Sequence, residues 1–192
     1  AWLASQFDRV LLTSPHDRQA LLALLPPQNV ESLQSRLTVL PNGVDLDYFC
    51  PDSTVTRDPA TLVVSGKMSY HANVTMVVNL VAQVMPLVWD QQPLVKLLIV
   101  GKDPTHTILA MAEHPQIEVT GTVPDLRPYL QKATVAVAPV SYGAGIQNKV
   151  LEAMACATPV VATSQAVSAL TAVAGQDVLV GDNPPQIADL IL

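Results

Sequence analysis

From Thr61 to the end of the chain, short continuously apolar runs alternate with longer segments in which apolar residues recur at helical spacing. The runs predict strands over 61–65, 95–100, 117–120, 133–138, 159–163 and 177–180. The periodic segments predict helices over about 73–89, 105–113, 125–131, 145–156 and 165–173, and another from 184. Lys96-Leu97-Leu98-Ile99-Val100 and Ala133 to Ala138 carry almost no polar residue, as strands covered on both faces require. The pattern is that of an α/β domain with a doubly wound parallel sheet, Rossmann-like in type. Upstream, Asp8 to Thr13 reads as a strand, Ser14-Pro15 caps and opens a helix to about Leu25, Pro26-Pro27 stops it, and Arg36 to Leu40 forms a second strand. Ser53 to Pro59, rich in Asp, Thr, Ser and Pro, is a linker. In such sheets ligands sit beyond the carboxyl ends of the strands, so the loops after Ser65, Val100, Thr120 and Pro139 are expected to converge on one site.

Composition narrows the class. Of 192 residues, 49% are hydrophobic and 14% charged, which describes a well-buried globular chain. A net charge of −6, a pI near 4.9 and the lack of basic-aromatic interleaving argue against a nucleic-acid partner. Cys50 and Cys156 read as two reduced thiols, the latter in the core. His16, His71, His106 and His114 are scattered without metal-ligand spacing, and Asp45-Leu46-Asp47 reads as a turn and cap, so no metal is assigned. No signal-peptide pattern is visible and no apolar run approaches the roughly 20 residues of a membrane span. The missing initial methionine, and an end inside a predicted helix, read as cut termini.

The candidate chemistry lies in the loops. Gly143 and Gly145 precede the 145–156 helix, whose unpaired N–H groups would attract an anion. Lys149 and Glu152, three apart, share one face near that helix's start, a cation suited to phosphate and a carboxylate suited to hydroxyls. A solvated ion pair on an ordinary loop and helix is the alternative. After the first strand comes Gly66-Lys67-Met68-Ser69-Tyr70-His71-Ala72-Asn73, in which Gly66 permits close approach and Lys67 can bind phosphate or simply be solvated. Lys102, in Gly101-Lys102-Asp103-Pro104, reads as a rim residue, and Asp125 as the cap of a short helix. Met76, Met85, Met111 and Met154 occupy core positions.

The stretch Gly143-Ala144-Gly145-Ile146-Gln147-Asn148-Lys149, followed by Glu152-Ala153-Met154-Ala155 and Thr158-Pro159-Val160-Val161, resembles the donor-site signature of the retaining GT-B glycosyltransferases, the glycosyl transferases group 1 family. That family usually has two glutamates seven residues apart. Glu152 falls on the second, which binds ribose; the first falls on Ala144, as in a subgroup where glycines and a lysine replace it. The resemblance implies that Lys67, Lys149 and the backbone of Gly143, Ala144, Gly145 and Ile146 hold a diphosphate, with Gly66 allowing close approach. It also implies that the loop at Val123 reads the base. Pro41-Asn42-Gly43-Val44-Asp45 resembles the end of the family's acceptor domain, with Asn42-Gly43 facing the cleft. Residues 1–52 would then be the tail of that domain, 53–60 the linker and 61–192 the nucleotide-sugar-binding domain, truncated at its end. By the same resemblance the donor is a UDP- or GDP-sugar, transferred without metal or cofactor to a carbohydrate or lipid-linked acceptor held by the missing domain. The setting would be cell-surface polysaccharide synthesis in the cytoplasm, with membrane contact only through the missing domain at the inner membrane surface. The fragment alone would transfer little. A non-catalytic nucleotide-sugar-binding module on the same fold is the alternative reading; an epimerase would need further acid and base carboxylates and a phosphorylase a cofactor lysine, and the sequence offers no convincing candidate for either.

Overall fold

The computed structural model describes residues 2–143 and 145–192. Among them, two parallel sheets form. The smaller pairs β1 (Val10–Leu12) with β2 (Leu37–Val39). The larger has six strands in the order β5-β4-β3-β6-β7-β8, with β3 at Thr61–Ser65, β4 at Lys96–Val100, β5 at Ile117–Gly121, β6 at Val135–Ala138, β7 at Val160–Ala162 and β8 at Leu179–Val180. Every pairing is parallel. Counted from β3 the spatial order is that of a dinucleotide-binding sheet, and it reverses between β3 and β6. In sheets of this order the ligand crevice opens at that reversal, at the carboxyl ends. All five residues of β3 and all three of β7 are buried, which explains their unbroken apolar character.

The helices follow local signals closely. Ser14 caps α1 (Pro15–Ala23) by accepting from the Asp17 N–H, and Thr105, Thr163 and Asn183 do the same for α5 (His106–Ala110), α8 (Ser164–Val167) and α9 (Pro184–Ile191). Pro26-Pro27 does more than stop α1. Pro27 opens a further helix, α2 (Pro27–Gln34), because a proline's missing N–H is harmless at the first helical position. The helix predicted over 73–89 runs from His71 to Gln91 as α3 (His71–Asn79), a π-helical turn (Leu80–Val84) and α4 (Met85–Gln91). Pro86 accounts for the wide turn, since it offers no N–H to the preceding turn and its ring crowds the carbonyl there. At 21 residues, this joined helix is long and apolar enough to cross a membrane, contrary to the expectation that no run approaches that length. Its apolar side is used otherwise: Met76, Val77, Leu80, Val84, Met85 and Val88 are buried in the core.

Residues 53–60 contain neither helix nor strand, yet they are docked. Arg57 donates to the carbonyls of Gln131, Ala133 and Ala157, at 3.2, 2.7 and 2.5 Å. These carbonyls lie at the ends of α6 (Arg127–Lys132) and α7 (Asn148–Ala155).

Candidate functional site

The loops after β3, β4 and β5 are joined to one another by their backbones. Gly66 N–H donates to Val100 O (3.1 Å), Met68 N–H to Lys102 O (2.8 Å) and Gly101 N–H to Gly121 O (3.2 Å). Closeness of this kind demands glycine: a Cβ on Gly101 would lie 1.7 Å from Gly66 O. Met68, fully buried, anchors the first loop from below. Gly66, Lys67, Lys102, Val123 and Leu126 line a cavity of about 240 Å³ at these strand ends. Gly66, Lys67 and Val123 are thus brought together, and Lys102, expected at the rim, lines the same cavity. A larger cavity of about 710 Å³ lies toward the amino ends of β3 and β4, lined by Thr61, Lys96, Glu118 and Lys132, away from the crevice. In such sheets ligands sit at the carboxyl ends, and the smaller cavity is there.

The two lysines differ in environment. Lys67 is exposed and its ammonium lies 3.8 Å from the Asp103 carboxylate, a solvent-screened pair. Lys149 is half-buried on the first turn of α7, and its Nζ donates to Asn73 Oδ1 at 2.5 Å with Met76 Sδ at 3.8 Å. Burial pushes its pKa down to about 8, with the Glu152 carboxylate opposing the shift. Glu152 is half-buried too, and burial raises its pKa while Lys149 opposes. Among the described residues the Glu152 carboxylate accepts no hydrogen bond, which leaves its oxygens available to hydroxyls.

The helix behind the glycine loop starts later than predicted. α7 begins at Asn148, not near 145, because Gly143 (φ +145°) and Gly145 (φ +80°) take conformations outside the helical region and Gln147 is still extended (φ −85°, ψ 90°). The open N–H groups of the helix therefore lie about three residues further on, beside Lys149. Gln165 donates to Gly143 O (2.8 Å), fixing the loop from α8. Gly145 faces the small sheet, where a Cβ would approach Thr13 Oγ1 to 3.7 Å, and Ile146 is half-buried. Ala144, expected at the position of the family's first glutamate, lies outside the described residues.

Two contributors were given no role by the sequence. Asn73, the last residue of the Gly66–Asn73 stretch, is one. Tyr142 is the other: its hydroxyl lies 2.9 Å from His71 Nδ1 and 3.1 Å from Thr75 Oγ1, and its ring stacks on His71 at 5.4 Å, tying the glycine loop to α3. Across the cleft, Asn42 Nδ2 donates to Asn148 Oδ1 at 3.2 Å, which places the Asn42-Gly43 segment against the start of α7. Asp45 accepts from the Asp47 and Tyr48 N–H groups and so caps a turn, as expected. Asp125, expected to cap α6, lies one residue before the N-cap position, which Leu126 occupies without a side-chain cap bond. It accepts from the Arg127 backbone and side chain, its pKa held down by Arg127, and from Tyr48 Oη, while the Arg127 guanidinium lies 4.0 Å over the Tyr48 ring.

The family profile described as Glycosyl transferases group 1 matches residues 59–192. Among curated proteins no sequence match reaches significance. Solved structures match over nearly the whole chain. TarM of S. aureus, solved as a variant with fondaparinux, α-GlcNAc-glycerol and UDP, superposes with a TM-score of 0.76 at 18% identity over 98% of this chain. HepE of Anabaena, solved with UDP and glucose, gives 0.70 at 14% over 98%, and sucrose-phosphate synthase of Thermosynechococcus elongatus 0.72 at 22% over 96%. The chain spans 37%, 54% and 48% of those three proteins.

Proposed function

Because the chain belongs to the glycosyl transferases group 1 family, we propose that it is the nucleotide-sugar-binding part of a retaining glycosyltransferase, moving a sugar from a nucleoside diphosphate to an acceptor hydroxyl. The observation that carries the reading is the pairing, at the strand-order reversal, of a half-buried lysine that has no carboxylate within ion-pair distance and a half-buried glutamate that accepts no hydrogen bond, among the described residues. Neither group is satisfied as a structural ion pair would be. A diphosphate beside Lys149 and the open N–H groups of α7, with ribose hydroxyls on Glu152, would satisfy both.

Each residue then has a task. Lys149 and Lys67 stabilise the charge that develops on the departing diphosphate, with the backbone around Gly143, Gly145 and Ile146 supplying further donors. Glu152 accepts from the ribose hydroxyls, and the cavity beside Val123 takes the base. With the cations supplied by protein, the acceptor attacks on the face from which the diphosphate leaves, without a metal. The acceptor, a carbohydrate or lipid-linked hydroxyl, meets the donor in the cleft bounded by Thr13 and Asn42, and the setting is cell-surface polysaccharide synthesis. The solved UDP complexes of TarM and HepE share this fold and support a uridine nucleotide as the first ligand to try. Alanine at position 144, where the family's sugar-contacting glutamate falls, favours a second reading, a binding module without transfer.

Calorimetric titration of the chain with UDP, GDP and their sugar conjugates tests the proposal, with Glu152→Ala and Lys149→Ala alongside. Saturable binding of one nucleotide, weakened roughly tenfold or more by each substitution, is the expected result. Binding that neither substitution weakens would sink the site, and turnover of the bound nucleotide sugar into a glycoside would exclude the second reading.

A further inference from the structure

The geometry points to Asn73 as a positioning residue that holds the Lys149 ammonium in the phosphate position while leaving its charge uncancelled; the inference rests on the donor-site reading above. Asn73 lies in the first turn of α3, 76 residues from Lys149, and its side chain bridges two elements. Its Oδ1 accepts from Lys149 Nζ at 2.5 Å and its Nδ2 donates to Lys67 O at 3.0 Å. The second bond fixes the orientation of the amide, since only nitrogen can donate to a carbonyl and only oxygen can accept from an ammonium. The site is built around this side chain: a Cβ on Gly66 would lie 2.7 Å from Asn73 Nδ2. Asn73 therefore links the β3 loop that bears one lysine to the helix that bears the other.

The choice of amide over carboxylate has a chemical consequence. A half-buried ammonium is most readily stabilised by an anionic partner, and among the described residues Lys149 has none within ion-pair distance. An amide oxygen orients the ammonium through one hydrogen bond and adds no charge. Met76 Sδ, at 3.8 Å, is a weak acceptor, so an Nζ hydrogen remains for a ligand oxygen. A carboxylate of the same shape at position 73 would neutralise Lys149 and repel a diphosphate.

The test compares Asn73→Ala, Asn73→Asp and Lys149→Ala with the unaltered chain. UDP and GDP are titrated against uridine and guanosine, and thermal unfolding of each variant establishes that it folds. The expected result is a loss of nucleoside diphosphate affinity of about tenfold in Asn73→Ala and a larger loss in Asn73→Asp, with nucleoside affinity changed less than about twofold. Adding Asn73→Ala to Lys149→Ala should then cost no more, because the asparagine acts through the lysine. A merely structural asparagine, when replaced, would lose diphosphate and nucleoside affinity alike, since either replacement also breaks its bond to Lys67 O. Diphosphate binding by Asn73→Asp equal to the unaltered chain, or the same loss from Asn73→Ala with and without Lys149, overturns the inference and leaves the donor site standing. Absence of nucleoside diphosphate binding by the unaltered chain removes the donor site and the inference together.

Discussion

Lys149 and Glu152 are each displaced from the charged form by burial, and the two displacements act oppositely on stability. For Lys149 the folded pKa of about 8 lies below the ordinary 10.5, so between those values the unfolded chain binds more protons and stability climbs with pH; below 8 the cost of the buried ammonium is present in full. For Glu152 the folded pKa lies above the ordinary 4.5, so the stability held by its neutral form is present at low pH and is lost as pH rises through the folded value. Lys149→Met should therefore stabilise the ligand-free chain by about 1–3 kcal/mol at pH 7, while removing nucleoside diphosphate binding. Melting curves taken from pH 7 to 10.5 check this: the gap between variant and parent should be widest at pH 7 and close toward pH 10.5. The three-residue spacing of the pair was legible because it is local. The burial was not, because it depends on α3 lying across the start of α7.

At the scale of elements, helix α7 ends in a Schellman arrangement, with Ala157 N–H donating to Met154 O and Thr158 N–H to Ala153 O, both at 2.9 Å. The left-handed position is occupied by Ala157, at φ +54°. Glycine is free of the steric cost that alanine meets there, so Ala157→Gly should raise stability by about 1 kcal/mol. A higher urea midpoint at unchanged slope would show it, and a lower midpoint would rule it out. Strand positions in the large sheet were read within about two residues, because each apolar run is bounded by glycine, proline or charge. Helix starts were read well where a hydroxyl or amide side chain caps them, as at Ser14 and Asn183. They were read poorly at α7, where two glycines in non-helical conformations delay the start, and at α2, where a proline pair is at once the end of one helix and the opening of the next.

Taken whole, the molecule joins its small sheet to its large one through residues 42–58. Asn42 meets Asn148, Tyr48 lies under Arg127, Gln131 Nε2 donates to Cys50 O at 2.8 Å, and Arg57 clamps the ends of α6 and α7. Arg57→Ala should cost about 2 kcal/mol in denaturant unfolding, since the carbonyls it serves lose a charged donor. Arg127→Ala removes the ring contact and the partner of Asp125. Amide exchange across 47–58 should rise roughly three- to tenfold while β3, β4 and β6 keep their protection. Uniform loss of protection would mean instead that Arg127 supports the whole fold.

By itself the sequence determined the alternation of strands and helices, the parallel sheet and the loops that bear glycine and lysine. Each of these depends on neighbours within a turn or a strand, and such preferences are written locally. Only the tertiary structure decided which of those loops meet. The backbone bonds of Gly66 with Val100 and of Gly101 with Gly121, the 2.5 Å contact of Lys149 with Asn73 and the seating of Asn42 on Asn148 all join residues far apart in the chain. Their positions follow from strand order, which reverses between β3 and β6. Strand order is set by how the apolar faces of all the elements are buried together, and no single stretch of chain encodes it.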